Sequence, residues 1–165
     1  MAERAAVGIT ICFCFLVLIC LTGCTRKQGD KFPPELTEGV NLNKPELIER
    51  SLNQGYDPNV QMHDGTTYLH GAAGMGHVEA VRALLEGGVD PNIRDNNDRT
   101  PLHYIMDYDI DQKQRVEMLK LMLKHNGDTG IKDHGGQTPV DIARQKDRTE
   151  ALKILDHSKG PTNEH

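Results

Sequence analysis

The sequence predicts an all-α protein, a solenoid of stacked helix pairs, and three observations predict it. First, a pattern returns at a fixed spacing: GYDPN at Gly55–Asn59 returns as GVDPN at Gly88–Asn92, and Thr67-Tyr68-Leu69-His70 returns as Thr100-Pro101-Leu102-His103, each 33 positions further along. A fixed period of that length marks a chain built by stacking one supersecondary unit. Second, threonine stands at 67, 100 and 138, with proline next at 101 and 139. The hydroxyl can accept from an orphan helix amide, and proline at the first helical position gives up an N–H that would have no partner. Third, apolar residues share one face in the segments that follow, Val78, Val81, Leu84 and Leu85 in one and Val116, Leu119, Met122 and Leu123 in the next. Each segment therefore buries a stripe against a neighbour.

In chain order, the front end is a separate object. No charge lies between Arg4 and Arg26, a run just long enough to cross a bilayer. It also has the layout of a secretory signal: a positive start at the α-amino group and Arg4, an apolar middle from Ala6 to Cys20, then the small residues Thr22 and Gly23. A cysteine follows at once, and Leu21-Thr22-Gly23-Cys24 resembles the lipobox of bacterial lipoproteins. That resemblance implies a cut before Cys24, a diacylglyceryl group on its thiol and acylation of the new terminus, because one acyl chain holds a membrane only marginally and two hold it firmly. A retained spanning helix and a plain secretory cut are the alternatives. Thr25 stands where lipoproteins of the enteric inner membrane usually have Asp, so the resemblance points to the outer membrane, facing the periplasm. All four cysteines, Cys12, Cys14, Cys20 and Cys24, lie at or before that junction. The remaining chain then has no disulfide and no thiolate metal site, which suits an oxidising compartment.

The expected organisation is a signal peptide at 1–23, a lipidated tether at 24–43, a repeat domain at 44–157 and a disordered tail at 158–165. The tether is read from charges, Pro33-Pro34 and glycines without periodicity. The repeat itself, GTTYLHGAAGMGHVEAVRALLEGGVDPN from Gly65 to Asn92, resembles an ankyrin repeat: a turn, a helix headed T-P-L-H-x-A-A, a G-H break, and a second helix ending L-L-x-x-G-A-D. About three repeats fit, at 62–94, 95–132 and 133–157, and Lys44–Asn59 matches only a second helix and its exit turn, a partial N-terminal repeat. Gly55 and Gly88 are expected to end helices in the left-handed conformation. Tyr68 replaces the usual proline, Asp98 takes a turn position that is glycine at 65 and 136, and Asp109–Arg115 replaces the two-residue break Gly76-His77 with five extra residues.

Composition narrows the function. The net charge is −5, and removal of Glu3 and Arg4 with the signal leaves it unchanged; no basic patch offers a nucleic-acid surface. Asp107, Asp109 and Asp111 suggest a calcium loop, but Gln112 and Met118 stand where its glycine and bidentate glutamate belong. The insertion reads instead as a solvated acidic loop. His70 and His103 are motif histidines of the scaffold, His77 belongs to the break, and His63 and His134 are turn tips too far apart along the stack to gather a metal's ligands. No nucleophile–base pattern or phosphate-cradling loop stands out, so no cofactor and no catalysis are expected.

The resemblance implies a protein-binding groove lined by turns and first helices. The residues expected to contact a partner are Asn97, Arg99, Tyr104, Asp107, Tyr108, Gln137 and Arg144. Tyr104 and Tyr108, four apart on one helix beside Arg99, form the richest group, since tyrosine and arginine dominate interface hot spots; the alternative is that Tyr104 packs on a neighbouring repeat. The expected whole is a monomeric envelope lipoprotein that binds another protein, with an immunity-type inhibitor of a secreted toxin and a metal-binding or enzymatic lipoprotein as alternatives.

Overall fold

The computed structural model describes residues 32–158. Eight helices and no strand occur among the described residues: α1 Pro34–Asn41, α2 Pro45–Asn53, α3 Tyr68–Met75, α4 Val78–Glu86, α5 Pro101–Asp107, α6 Gln112–Lys124, α7 Pro139–Gln145 and α8 Thr149–Ser158. They form four antiparallel pairs stacked in two layers. The first helices α1, α3, α5 and α7 follow one another in contact, as do the second helices α2, α4, α6 and α8. The core lies between the layers, where Leu69, Leu84, Leu102, Ile105, Met106, Met118, Leu119 and Met122 are fully buried. The buried face of the second helices is wider than the predicted stripes, because Ala80, Ala83, Met118 and Leu121 join it, while Val116 and Leu123 are only half-buried.

The helix starts follow the sequence. Thr67 and Thr100 begin capping boxes closed by a histidine: each backbone N–H donates to the Nδ1 of His70 (3.1 Å) or His103 (3.0 Å). An Nδ1 that accepts leaves the proton on Nε2, which donates to the carbonyl of Arg99 (3.0 Å) or Gln137 (3.2 Å) in the turn of the next repeat. One side chain thus caps its own helix and couples two repeats. Burial pushes both imidazoles below their ordinary pKa, consistent with neutral rings. In the last repeat Asp141 takes the histidine's place in the capping box: it accepts from the Thr138 N–H (3.0 Å) and hydroxyl (2.7 Å), while its own N–H donates to the Thr138 hydroxyl oxygen (3.2 Å).

Turns repeat as well. Met62, Asp95 and Asp133 each donate a backbone N–H to the carbonyl four residues on, at 2.8–2.9 Å. The left-handed residue of this turn is Gly65, Asp98 or Gly136, at φ of 78°, 61° and 77°. Asp98 fills it without a glycine because a short polar side chain tolerates positive φ. Gly55 and Gly88 end their helices at φ 85° and 87°, as expected.

One boundary requires correction. The segment assigned to the tether, 24–43, includes helix α1, so the N-terminal repeat is a full helix pair rather than a partial one. Leu36 and Val40 are buried at 0% and 3% exposure. The Thr37 hydroxyl meets the Tyr68 hydroxyl at 3.0 Å, the Val40 carbonyl lies 2.8 Å from His77 Nδ1, and the Asn43 side chain accepts from the Ala80 N–H that opens α4 (2.9 Å). The residues that signalled a linker serve the helix. Pro34 starts it, and a Cβ on Gly39 would stand 2.9 Å from Ile48 Cγ1, so glycine is what lets α1 close on α2. The segment expected to be a signal peptide, Cys24 and the residues beyond Ser158 lie outside the described residues. No helix among the described residues is long and apolar enough to cross a membrane.

Candidate interaction surface

The predicted cluster forms, but its members divide into scaffold and surface. Tyr104 is half-buried, its hydroxyl donating to Asp95 Oδ2 at 2.8 Å. Asp95, 6% exposed, accepts the N–H groups of Asn97 (2.8 Å) and Arg99 (2.9 Å) through its other oxygen. The Tyr104 ring stands edge-on to His70 and stacks on Tyr108, both at 5.2 Å between centroids, and the Arg99 guanidinium lies 5.0 Å over its face. Burial first, then the bond to Asp95 and that carboxylate's charge, raise the Tyr104 pKa. This tyrosine therefore packs, as the alternative reading had it, and holds the turn to the helix. Tyr108 remains 45% exposed.

The pair lies against α3. A Cβ on Gly74 would meet Tyr104 Cδ1 at 3.4 Å and two atoms of the Tyr108 ring at 3.7 and 3.8 Å. These are ordinary van der Waals distances, and they show that both rings pack against the preceding repeat at Gly74. Met75, 43% exposed, continues this surface, with its Cε reaching back along α3 to Gly71.

Asp107 joins repeats two and three. Arg99 Nη2 reaches it at 2.7 Å and Lys146 Nζ, from the end of α7, at 3.1 Å. Burial opposes its ionisation, but hydrogen bonds from Lys146 and Arg99, with their charges, hold the carboxyl below the ordinary range. The other predicted residues do not join the cluster. Asn97 is exposed on the turn, where its carbonyl accepts from His134 N–H at 2.9 Å. Gln137 and Arg144 are exposed on the last repeat, Gln137 bonded to Gln145 (3.3 Å) and Arg144 paired with Asp141 (3.6 Å). Lys146 was not predicted; it sits one position past the motif, where sequence alone gives no sign that it faces Asp107.

The acids of the insertion, Asp109 and Asp111, are exposed as expected of a solvated acidic segment, but its second half is helix rather than loop. Asp111 is the N-cap of α6, accepting from Lys113 N–H (2.8 Å) and Gln114 N–H (3.3 Å), and Gln112–Arg115 are helical. Arg115 is only 4% exposed. Its Nε donates to the Ile105 carbonyl and its Nη2 to those of Tyr108 and Ile110, all at 3.0 Å. From the break of the last repeat, Arg148 donates to the Met106 carbonyl (3.4 Å) and again to Tyr108 (3.3 Å). Two arginines thus tie down the C-terminal end of α5, where helix carbonyls would otherwise lack partners. Ile110 packs on the other side, within 3.2 Å of where a Gly76 Cβ would be. At the tip the Asp109 side chain is fully exposed.

No group of three His, Cys, Asp or Glu side chains gathers around a common point among the described residues. His77, assigned to the break alone, also couples repeats through Val40.

Comparison with known families decides the class: the profile described as ankyrin repeats (3 copies) matches residues 36–133. The chain belongs to the ankyrin-repeat family. Among similar proteins, a putative ankyrin repeat protein of Rickettsia bellii is 38% identical over 109 residues, covering 66% of this ankyrin chain and 33% of its own length. Putative glutaminase 3 of Caenorhabditis elegans is 27% identical over 135 residues, 79% of this chain and 22% of its own. Rabankyrin-5 of Mus musculus is 29% identical over 127 residues, 76% of this chain and 10% of its own. The ankyrin chain spans a third or less of each of these relatives. A likeness shared by proteins with such different names resides in the repeats, and ankyrin repeats make this chain a protein–protein interaction module.

Proposed function

We propose that this ankyrin body is tethered to a bacterial envelope by lipid on Cys24 and binds another protein, without catalysis, through the face formed by its first helices and turns. The observation that carries the binding role is the half-exposed Tyr108 stacked on a fully engaged Tyr104, beside the exposed Met75. A large aromatic held rigid in the free protein loses little entropy on binding, which is how interface anchors contribute affinity. The tetrad Leu21-Thr22-Gly23-Cys24 after an apolar run, and the absence of cysteine after it, support the anchor and the envelope location. Two experiments test the two halves. Labelled fatty acid should attach to the parent and not to Cys24→Ser; equal labelling refutes the anchor. Crosslinked partners should be recovered from envelopes by the parent and not by Tyr108→Ala; equal recovery refutes the surface.

A further inference from the structure

We infer that the tip formed by Tyr108 and Asp109, with Met75 beside it, docks a basic segment of the partner protein: a lysine or arginine whose alkyl stem lies along Tyr108 and Met75 and whose head reaches Asp109. This rests on the protein-binding reading above and names the chemistry of the partner.

Three observations carry it. The first is the combination of apolar exposure and low relief. Tyr108, just past the C-terminal end of α5, and Met75, at the end of α3, are 45% and 43% exposed; the Tyr108 ring lies 3.7 Å from where a Cβ on Gly74 would be, next to Met75 in the chain, and at Gly71 a Cβ would meet nothing closer than Met75 Cε at 4.0 Å. A shallow, partly apolar strip like this accommodates the methylene stem of a long cationic side chain, and the face of a tyrosine attracts its head.

The second is charge. Four cations near the strip are engaged within the molecule, Arg99 and Lys146 by Asp107 and Arg115 and Arg148 by main-chain carbonyls, while Lys113 is exposed on the first turn of α6. Asp107 and Asp95 are likewise consumed, and one oxygen of Asp111 caps α6. Asp109 is left fully exposed, its guanidinium neighbour Arg148 at 4.0 Å and already bonded to carbonyls. With a net charge of −5 on the chain, the complement is positive, and complementary charge selects partners and speeds their encounter.

The third is order. A five-residue insertion could have been left loose, yet it is secured by a buried arginine, by a second arginine from the next repeat, by an N-cap and by Ile110. A buried arginine is costly to desolvate. What this ordering fixes in space is an exposed segment that begins with Tyr108 and Asp109 and resumes at Asp111–Gln114.

The test is a random peptide display library selected on the full chain held in detergent, followed by affinity measurement of the enriched peptides. Enriched sequences should carry lysine or arginine next to an apolar residue. Their affinity should fall about thirtyfold on Tyr108→Ala, as for an aromatic hot spot, and about threefold on Asp109→Asn, as for an exposed charge pair. It should be unchanged on Glu86→Gln, an exposed acid on α4. Asp109→Asn removes only a fully exposed charge, so it keeps the test independent of folding. The inference is overturned if no peptide is enriched, if enriched peptides lack cations, or if cationic peptides bind Asp109→Asn as tightly as the parent. Loss of labelling at Cys24 would remove the anchor and leave this result standing; peptides that bind without cations would keep the interaction surface and remove the basic partner.

Discussion

Replacing Arg115 by methionine keeps most of the packing volume and deletes every hydrogen bond from the guanidinium, so it isolates what those bonds contribute. Three carbonyls lose a charged donor at 3.0 Å. They do not lose equally. Tyr108 keeps Arg148 at 3.3 Å, and Ile110 is half-exposed, so water can serve its carbonyl. Ile105 is fully buried, and an unsatisfied buried carbonyl costs about 1–3 kcal/mol. Removing the desolvation penalty of a buried charge returns part of that. The expected net loss is about 2 kcal/mol, from one buried acceptor left bare plus weaker bonds at two accessible ones. Arg148→Met is the internal control: its bonds are longer, at 3.3 and 3.4 Å, and its side chain is 20% exposed, so about 0.5–1 kcal/mol is expected. Urea unfolding followed by far-ultraviolet circular dichroism gives both values. If Arg148→Met proves as destabilising as Arg115→Met, burial does not set the cost and the reasoning fails.

Three further outcomes follow from the same geometry. Tyr104→Phe should lose about 1 kcal/mol in urea unfolding, the net value of one buried hydrogen bond, because the bond to Asp95 goes and the ring stays; an unchanged midpoint would mean that the hydroxyl does not hold the turn. His70 and His103 have depressed pKa values in the fold, so the unfolded chain takes up protons first as pH falls. Their contribution is complete above the ordinary value of 6.5 and is lost as pH drops below it towards the folded values. Urea midpoints should therefore decline through mild acid, and a midpoint that rises there would contradict neutral rings. Ser51 is fully buried and its Oγ has no partner among the described residues; Ser51→Ala should stabilise by about 1 kcal/mol, relieving an unpaired hydroxyl and improving helix propensity, whereas destabilisation would show that the hydroxyl is satisfied.

What could be read from the sequence was local. The repeat, the three capping threonines, the left-handed glycines and the meeting of Tyr104 with Tyr108 all follow from spacing within one unit, and each stands in the structure. The misreadings were non-local. Pro33, Pro34 and Gly39 look like a linker until Ile48 is known to lie against Gly39. Asp107 looks like part of a solvated acidic run until Lys146 is found on it, from a different repeat. Whether Tyr104 or Tyr108 would be the exposed member was undecidable from their shared helix face, because Asp95 and His70 decide it from the turn and from the preceding repeat.

Gly71 and Gly74 separate the demands of folding from those of binding. Both lie inside the eight-residue helix α3, where each glycine costs about 1 kcal/mol relative to alanine. At Gly74 an added methyl would come into ordinary van der Waals contact with the two tyrosine rings, at 3.4–3.8 Å. At Gly71 it would point into open space with only the flexible end of Met75 at 4.0 Å. Stability alone would favour alanine there, so Gly71→Ala is expected to raise unfolding stability by about 1 kcal/mol. If the bare backbone at this position serves close approach by another chain, the same substitution should weaken recovery of crosslinked partners although the protein has become more stable. A variant that is both more stable and equally able to capture its partner would show that the partner does not contact α3 at this point, and would confine the contact to Tyr108 and the tip beyond it.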